Sequence, residues 1–342
     1  MSRRLARVLA AARCAAVALV LLPPAASAGT AKLKFAFFSS DREFAFRGVV
    51  KAFADAVNVA ADGAVEIELY PGGVLERNYA KQAQLVLSGE ADIAWAQPAL
   101  TPDLFPDNGV MELPGLFRDL REAALVHTRL AQGGVLRGYD QFVVVGALAT
   151  NPLVIHTRMP AFSLDDLAHK RIRSSSRTEG MVLKALGMVP YEVPITETSG
   201  ALNRGMIDGA TAALEAFADF GISRFTQYHY MLGLGCVPLL VVMNKRKFDE
   251  LSEPVQNLIR RHGGDWMAAR YVATAGAYNA EVLQRLKSDP RRSAIEPTAA
   301  ERARAALAFE ATIRDWTSAD PRRRQLLERV QAELAILRAS GR

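Results

Sequence analysis

Cysteine is scarce in this sequence, because only Cys14 and Cys236 occur among its 342 residues. Cys14 falls in an N-terminal segment that we expect to be removed, and the one cysteine that remains cannot form an intramolecular disulfide. Cys236 stands in the apolar stretch LGLGCVPLLVV, which predicts a small buried side chain rather than a reactive thiol. The five histidines are scattered without metal-ligand spacing, so we predict no metal site.

Long hydrophobic runs are missing as well. The apolar run over 15–22 is too short to span a bilayer, and two prolines follow it. Arg3, Arg4 and Arg7 stand near the N-terminus before this run, and the small residues Ala-Ser-Ala follow it at 26–28, an order that is typical of a secretory signal peptide. We therefore predict that residues 1–28 are a cleaved signal peptide and that the mature protein is soluble and periplasmic.

The sequence also has little excess charge. Its net charge of +6 includes four arginines of the predicted signal peptide, which leaves +2 for the mature chain and indicates no nucleic-acid partner. Half of the residues are hydrophobic and 23% are charged, which is typical of a globular protein. The chain has no Gly-x-Ser-x-Gly elbow, phosphate-binding loop or His-Glu-x-x-His motif. We therefore predict a binding protein and not an enzyme, with no cofactor.

Strand and helix patterns alternate along the mature chain and then begin again. The first set of strand patterns is LKFAFF (33–38), VEIELY (65–70), ADIAWA (91–96) and FVVVGALATN (142–151). The second set is PLVIHT (152–157), RIRSS (171–175), YEVP (191–194) and DGATAAL (208–214). Strands that alternate with helices predict an α/β protein with parallel sheets. We predict two lobes: lobe I over 29–150, completed by part of 238–342, and lobe II over 151–237.

Helical spacing runs almost unbroken from Ser252, a candidate cap, over 252–286. A helix of this length measures roughly 50 Å, which exceeds the size of one lobe, so we predict that it runs along both. The pair Gly263-Gly264 predicts a bend in it, and two abutting helices are the alternative. Two amphipathic helices are predicted within 297–342.

Five stretches of the mature sequence carry a characteristic order of turns, strands and helices. They are DGAVEIELYPGGVLERNYAKQAQLVLSGEADIAW, ELPGLFRDLREA, SLDDLAHKRIR, ALGMVPYEVP through ALNRGMIDG, and VMNKRKFDELSEPVQNLI. In this order they resemble the TRAP-transporter periplasmic solute-binding proteins, which include C4-dicarboxylate binders. The resemblance implies a two-lobed periplasmic binding protein fold, a small-molecule organic acid held between the lobes, and TRAP-type membrane permease subunits as partners.

The stretch HKRIRSSS at 169–176 places cations on a predicted strand. Arg171 and Arg173 share one face of that strand, and Ile172 lies on the other. Arg173 is nearer the carboxyl end, where the crevice of a parallel sheet opens and a guanidinium can hold a carboxylate by two hydrogen bonds. In the resembled family the matching arginine binds the ligand carboxylate, which assigns that role to Arg173. A solvated strand edge is the alternative.

Strand ends in both lobes supply the other candidate ligand contacts. These are Phe38, Ser39, Trp95 and Gln97 in the first lobe and Ile195, Ala212 and Glu215 in the second. Trp95 is also compatible with packing between sheet and helix. The sequence departs from the family pattern at His169, which replaces a usual glycine, and at Ala210–Ala212, where members often have larger residues. It also lacks a second arginine near 148–151, so we expect a bulkier or less charged ligand than a C4-dicarboxylate.

Two other functions stay open at this point. A solute sensor that presents its bound ligand to a membrane receptor would use the same fold, and a periplasmic enzyme is the second alternative. We expect the protein to be a monomer.

Overall fold

A computed structural model describes residues 30–341, so the predicted signal peptide over 1–28 lies outside the described residues. The strands in chain order are β1 (Ala31–Ala36), β2 (Val65–Tyr70), β3 (Ile93–Ala96), β4 (Phe142–Ala149), β5 (Val154–Thr157), β6 (Arg171–Ser174), β7 (Val189–Glu192), β8 (Gly209–Ala212), β9 (Tyr228–Tyr230), β10 (Pro238–Asn244) and β11 (Ser293–Ile295). The α-helices are α1 (Lys51–Ala61), α2 (Gln82–Ser88), α3 (Leu120–Gln132), α4 (Leu164–Leu167), α5 (Arg177–Ala185), α6 (Ile195–Asn203), α7 (Leu214–Asp219), α8 (Lys245–Asp249), α9 (Glu253–His262), α10 (Gly264–Ser288), α11 (Ala299–Ser318) and α12 (Pro321–Ala339). A π-helical turn over Phe46–Val50 precedes α1.

The first sheet has the strand order β2-β1-β3-β10-β4. Its first three strands are parallel, and β10 is antiparallel to both β3 and β4. Leu33, Phe35 and Ile93 are fully buried on these strands, because helices cover the sheet where the alternating pattern turns apolar side chains inward. The carboxyl ends of β1 and β3 therefore lie side by side at one edge of the sheet.

The second sheet has the strand order β11-β9-β5-β8-β6-β7. In it β6 is parallel to β7 and β8, whereas β5 is antiparallel to β8 and β9. The chain passes from the first sheet to the second between β4 and β5 and returns between β9 and β10. It passes once more to the second sheet to form β11. The prediction of two sheets, and hence of a two-lobed α/β protein, is confirmed.

The helix predicted over 252–286 is two helices in the structure. α9 ends at His262 and α10 begins at Gly264, and Gly263 between them has extended backbone angles (φ −92°, ψ −163°). Gly264 has φ +48°, a left-handed conformation that favours glycine. A Cβ on Gly263 would lie 2.6 Å from the carbonyl oxygen of Val145, because β4 approaches the chain closely at this point. The prediction of one bent helix is therefore wrong, and the alternative of two abutting helices is correct.

α10 runs along both lobes without the contribution of α9. It contacts α3, β4 and the π-helical turn on the side of the first sheet, and α7 and β11 on the side of the second. Its 25 residues correspond to about 38 Å, which is enough to reach both. The two C-terminal helices pack against different lobes. α11 packs against α5 of the second lobe, and α12 packs against α3 of the first. None of the helices in the described part of the chain is long and apolar enough to cross a membrane.

Candidate ligand-binding site

A cavity of about 80 Å³ lies between the two sheets. This volume is several times the space that a single water molecule needs. Its wall comes from both lobes and from α10: Phe37, Phe38, Glu43, Phe44, Ala45, Tyr79, Trp95, Gln97, Thr150, Leu153, Arg173, Ser175, Ile195, Ala212, Ala213, Glu215, Ala216, Asp219, Phe220, Val237, Leu239 and Tyr271. The cavity is therefore closed by residues whose positions depend on both sheets at once.

Among residues 30–341, Arg173 is the only lysine or arginine in this wall. It stands one residue before the end of β6, and 2% of its surface is exposed. Its Nε donates to the carbonyl oxygen of Val193 at 2.9 Å, and its Nη1 donates to that of Thr211 at 3.1 Å. These two carbonyls fix the plane of the guanidinium and leave Nη2 without a hydrogen bond to any residue within 30–341.

The charge of Arg173 has no carboxylate within salt-bridge distance among the described residues. Burial lowers the pKa of its guanidinium, although nearby acidic side chains, Glu179 foremost, oppose that effect. The carboxylate of Glu179 instead accepts from the backbone N–H of Ser175 at 2.7 Å and from the hydroxyls of Ser175 and Thr211. A buried cation without a paired anion is costly, so the site is suited to an anion that enters from outside.

Three acidic side chains also line the cavity. Burial raises the pKa of Glu43 to about 8 and that of Glu215 to about 7, and it also raises the pKa of Asp219. Both Asp219 oxygens are paired, because the Phe44 N–H donates to one at 3.2 Å and the Tyr278 hydroxyl to the other at 2.7 Å. The wall therefore combines one buried cation with three acidic groups, and the part of the chain that the structure describes adds no second positive charge to it.

Aromatic rings form much of the remaining wall. The rings of Phe38 and Tyr79 stack with centroids 3.5 Å apart, and Phe220 from the second lobe lies parallel to Phe38 at 6.1 Å. Trp95 contacts Tyr271 of α10, with ring centroids 6.3 Å apart. Such surfaces favour flat apolar groups, because stacked and edge-on ring contacts add to the free energy of burial.

The structure brings most of the predicted contact residues together. Phe38, Trp95, Gln97, Arg173, Ile195, Ala212 and Glu215 all line the cavity. Ser39 does not line it, because its hydroxyl turns back to donate to the carboxylate of Glu43. Trp95 both faces the cavity and packs among core rings, so the packing alternative describes part of its role.

Sequence reasoning missed other wall residues, including Glu43, Phe44, Tyr79, Phe220 and Tyr271. They lie on turns and helices and not at strand ends, so the strand pattern of the sequence does not indicate them. Phe44 lies just before the π-helical turn, and only the packing of α10 across both lobes brings Tyr271 to the cavity.

This architecture, with two α/β lobes around a cavity whose buried cation has no carboxylate partner among the described residues, is typical of a solute-binding protein. Residues 35–319 match the family described as bacterial extracellular solute-binding protein, family 7 (DctP), and the chain belongs to that family. The predicted family resemblance is therefore confirmed.

Individual relatives are distant in sequence but close in fold. A solute-binding protein of Albidiferax ferrireducens is 23% identical over 64% of this chain and 65% of its own length. A TRAP solute-binding protein of an unidentified marine microbe, specific for aromatic acid ligands, superimposes with a TM-score of 0.83 at 23% identity, over 89% of this chain and 98% of that chain. A TRAP solute-binding protein of Rhodoferax ferrireducens with copurified benzoate has a TM-score of 0.78 at 23% identity, over 92% of this chain and 100% of that chain.

Proposed function

We propose that the protein is a periplasmic receptor that binds a small aromatic monocarboxylate in the cavity between its lobes and delivers it to a TRAP-type permease. Residues 1–28 direct its export and are removed. It acts as a monomer, without catalysis, cofactor or metal. Lobe I comprises 29–150 with later segments around β10, and lobe II comprises 151–237 with β11.

The observation that carries this proposal is the environment of Arg173. Its guanidinium is buried, held in one plane by two carbonyls, and unpaired among the described residues. A carboxylate supplies the missing negative charge, and a planar donor fork matches its two oxygens. A neutral solute such as a sugar would leave this buried charge uncompensated.

The rest of the wall favours one carboxylate over two. Glu43, Glu215 and Asp219 surround the cavity, and no second cation lines it in the described chain. A second carboxylate on the ligand would be buried beside these acidic groups with no cation of the described chain to compensate it, which is costly. The rings of Phe38, Tyr79 and Phe220 instead favour a flat apolar body. Binding of aromatic acids by the marine protein and of benzoate by the Rhodoferax protein agrees with this choice.

Native mass spectrometry of the purified protein, followed by a thermal-shift screen of organic acids, tests the proposal. A ligand that binds only the folded state raises the melting temperature in proportion to the logarithm of its concentration over Kd. We expect benzoate or phenylacetate derivatives to stabilise the protein and succinate or malate to have little effect. Stabilisation by sugars, metal ions or dicarboxylates alone would contradict the proposal.

A further inference from the structure

Three buried polar atoms on the cavity wall have no hydrogen-bond partner in the described part of the chain. They are Nε2 of Gln97, Oε2 of Glu215 and the hydroxyl oxygen of Tyr271. The three residues are 6%, 1% and 0% exposed, and each lines the cavity that also contains Arg173. Buried polar groups in folded proteins are nearly always paired, so three unpaired ones around one space indicate a partner that occupies it.

Asp219 and Glu215 line the same cavity but differ in how many of their carboxylate oxygens are paired by the protein. Asp219 lines the same cavity, but the protein itself pairs both of its oxygens. Glu215 has only one paired oxygen, because the backbone N–H of Asn151 donates to Oε1 at 3.0 Å. That contact orients the carboxyl group and leaves Oε2 free to meet a ligand.

We propose that the ligand carries a hydroxyl group in addition to its carboxylate, and that Gln97, Glu215 and Tyr271 bind this hydroxyl. This inference rests on the proposed function and narrows the ligand to a hydroxylated aromatic monocarboxylate. We call these three residues the second polar anchor, the first being Arg173.

The chemistry of the anchor selects a hydroxyl over other substituents. The Gln97 amide nitrogen can only donate, whereas an ionised Glu215 can only accept. A hydroxyl satisfies both at once, since it accepts from the amide and donates its own proton to the carboxylate. A second carboxylate would be repelled by Glu215, and an ammonium would leave the Gln97 donor unpaired. The Tyr271 hydroxyl can either donate a hydrogen bond to the ligand hydroxyl or accept one from it.

Calorimetry on the wild-type protein provides the first test. Benzoate, the three hydroxybenzoate isomers and their methoxy analogues are titrated separately at pH 8. We expect one hydroxybenzoate to bind at least tenfold more tightly than benzoate, which corresponds to about 1.4 kcal/mol. Its methoxy analogue, which cannot donate to Glu215, should lose that advantage.

Variants of the anchor provide the second test. Gln97→Met and Glu215→Gln should each reduce the hydroxybenzoate-to-benzoate affinity ratio to about threefold or less. In Glu215→Gln the side-chain oxygen stays with Asn151 and an amide donor replaces the acceptor, so the ligand proton loses its partner. Tyr271→Phe serves as a third, conservative variant if either of the others fails to fold. Glu310→Gln on the exposed surface of α11 removes a charge without touching the cavity and should leave the ratio unchanged.

The possible outcomes separate this inference from the function on which it rests. Equal affinities for benzoate and all three hydroxybenzoates would mean that water fills the anchor, and the inference would be overturned while the proposed function stands. An affinity ratio that persists in both Gln97→Met and Glu215→Gln would overturn it as well. If no aromatic acid binds, both proposals fail together.

Discussion

Arg171 and Arg173 lie two residues apart on the same face of β6, yet their surroundings are opposite. Arg171 has an exposed side chain that pairs with Asp208 at 2.8 Å, and this contact holds the pKa of the Asp208 carboxyl below its usual range. Arg173 is buried and has no carboxylate partner in the described chain. The alternation of side chains along a strand determines only the face on which each arginine lies. Its position along β6 determines whether it is exposed or buried. The solvated-edge alternative therefore describes Arg171 and not Arg173.

We expect Arg173→Lys to weaken binding of an aromatic monocarboxylate by about thirtyfold, or about 2 kcal/mol. Lysine keeps the charge but cannot pair with a carboxylate through a planar fork while also holding the carbonyls of Val193 and Thr211. Isothermal titration calorimetry measures the change, after melting curves show that the unliganded variant is folded.

Arg171→Lys is the matched control for that measurement. Its side chain is exposed and its partner is Asp208, so the affinity for the same ligand should change by less than about twofold. Similar losses at both positions, or full affinity in Arg173→Lys, would remove Arg173 from the binding site.

At the scale of elements, the sequence predicts strands and helices that have a long regular pattern. It does not predict short strands whose formation depends on pairing with distant segments. The predicted strand VEIELY coincides with β2 to the residue. The sequence does not predict strands β9 and β11, because three residues carry no readable period and these strands form only by pairing with strands distant in the sequence. The candidate site follows the same rule, since Arg173 and Gln97 lie at strand ends, whereas Tyr271 depends on how α10 packs.

The turn between α4 and β6 contains a residue in an unfavourable conformation. His169, which stands where the resembled family usually has glycine, has φ +62° and an exposed side chain. Its backbone N–H donates to the carbonyl of Gly187 at 2.8 Å, which fixes the turn. A non-glycine residue in this left-handed region costs about 1 to 2 kcal/mol.

We therefore expect His169→Gly to stabilise the protein by about 0.5 to 1 kcal/mol, because relief of this strain exceeds the added entropy of glycine in the unfolded chain. Urea denaturation followed by circular dichroism measures the change. Lys170→Gly is the control, since Lys170 is not at positive φ and the same substitution should destabilise the protein there. A loss of stability in both variants would show that the His169 side chain contributes more than its backbone strain costs.

At the scale of the whole molecule, a few polar contacts join the lobes around the cavity. The hydroxyl of Ser176, which caps α5, donates to Glu112 at 2.8 Å, and Glu112 ends a 3-10 turn over Asn108–Glu112 in the first lobe. Burial raises the pKa of the Glu112 carboxyl to about 8, and the nearby charges of Glu179 and Glu192 act in the same direction. Glu112 is therefore held in its protonated form at neutral pH, at a junction between the lobes.

This gives a pH dependence with a definite sign. The folded-state pKa of Glu112 lies above its unfolded value of about 4.3. The contribution of its protonated carboxyl to the stability of the folded protein is therefore fully present below pH 4.3, and it is lost as the pH rises through about 8. We expect Glu112→Gln, which imitates the protonated form, to gain stability relative to the wild type by on the order of 2 kcal/mol between pH 5 and pH 8.5. Urea denaturation of both proteins across this range measures the difference, with Glu310→Gln on the exposed face of α11 as the control. If the stability curves of wild type and Glu112→Gln stay parallel, Glu112 is already ionised in the folded protein and the junction between the lobes does not depend on its proton.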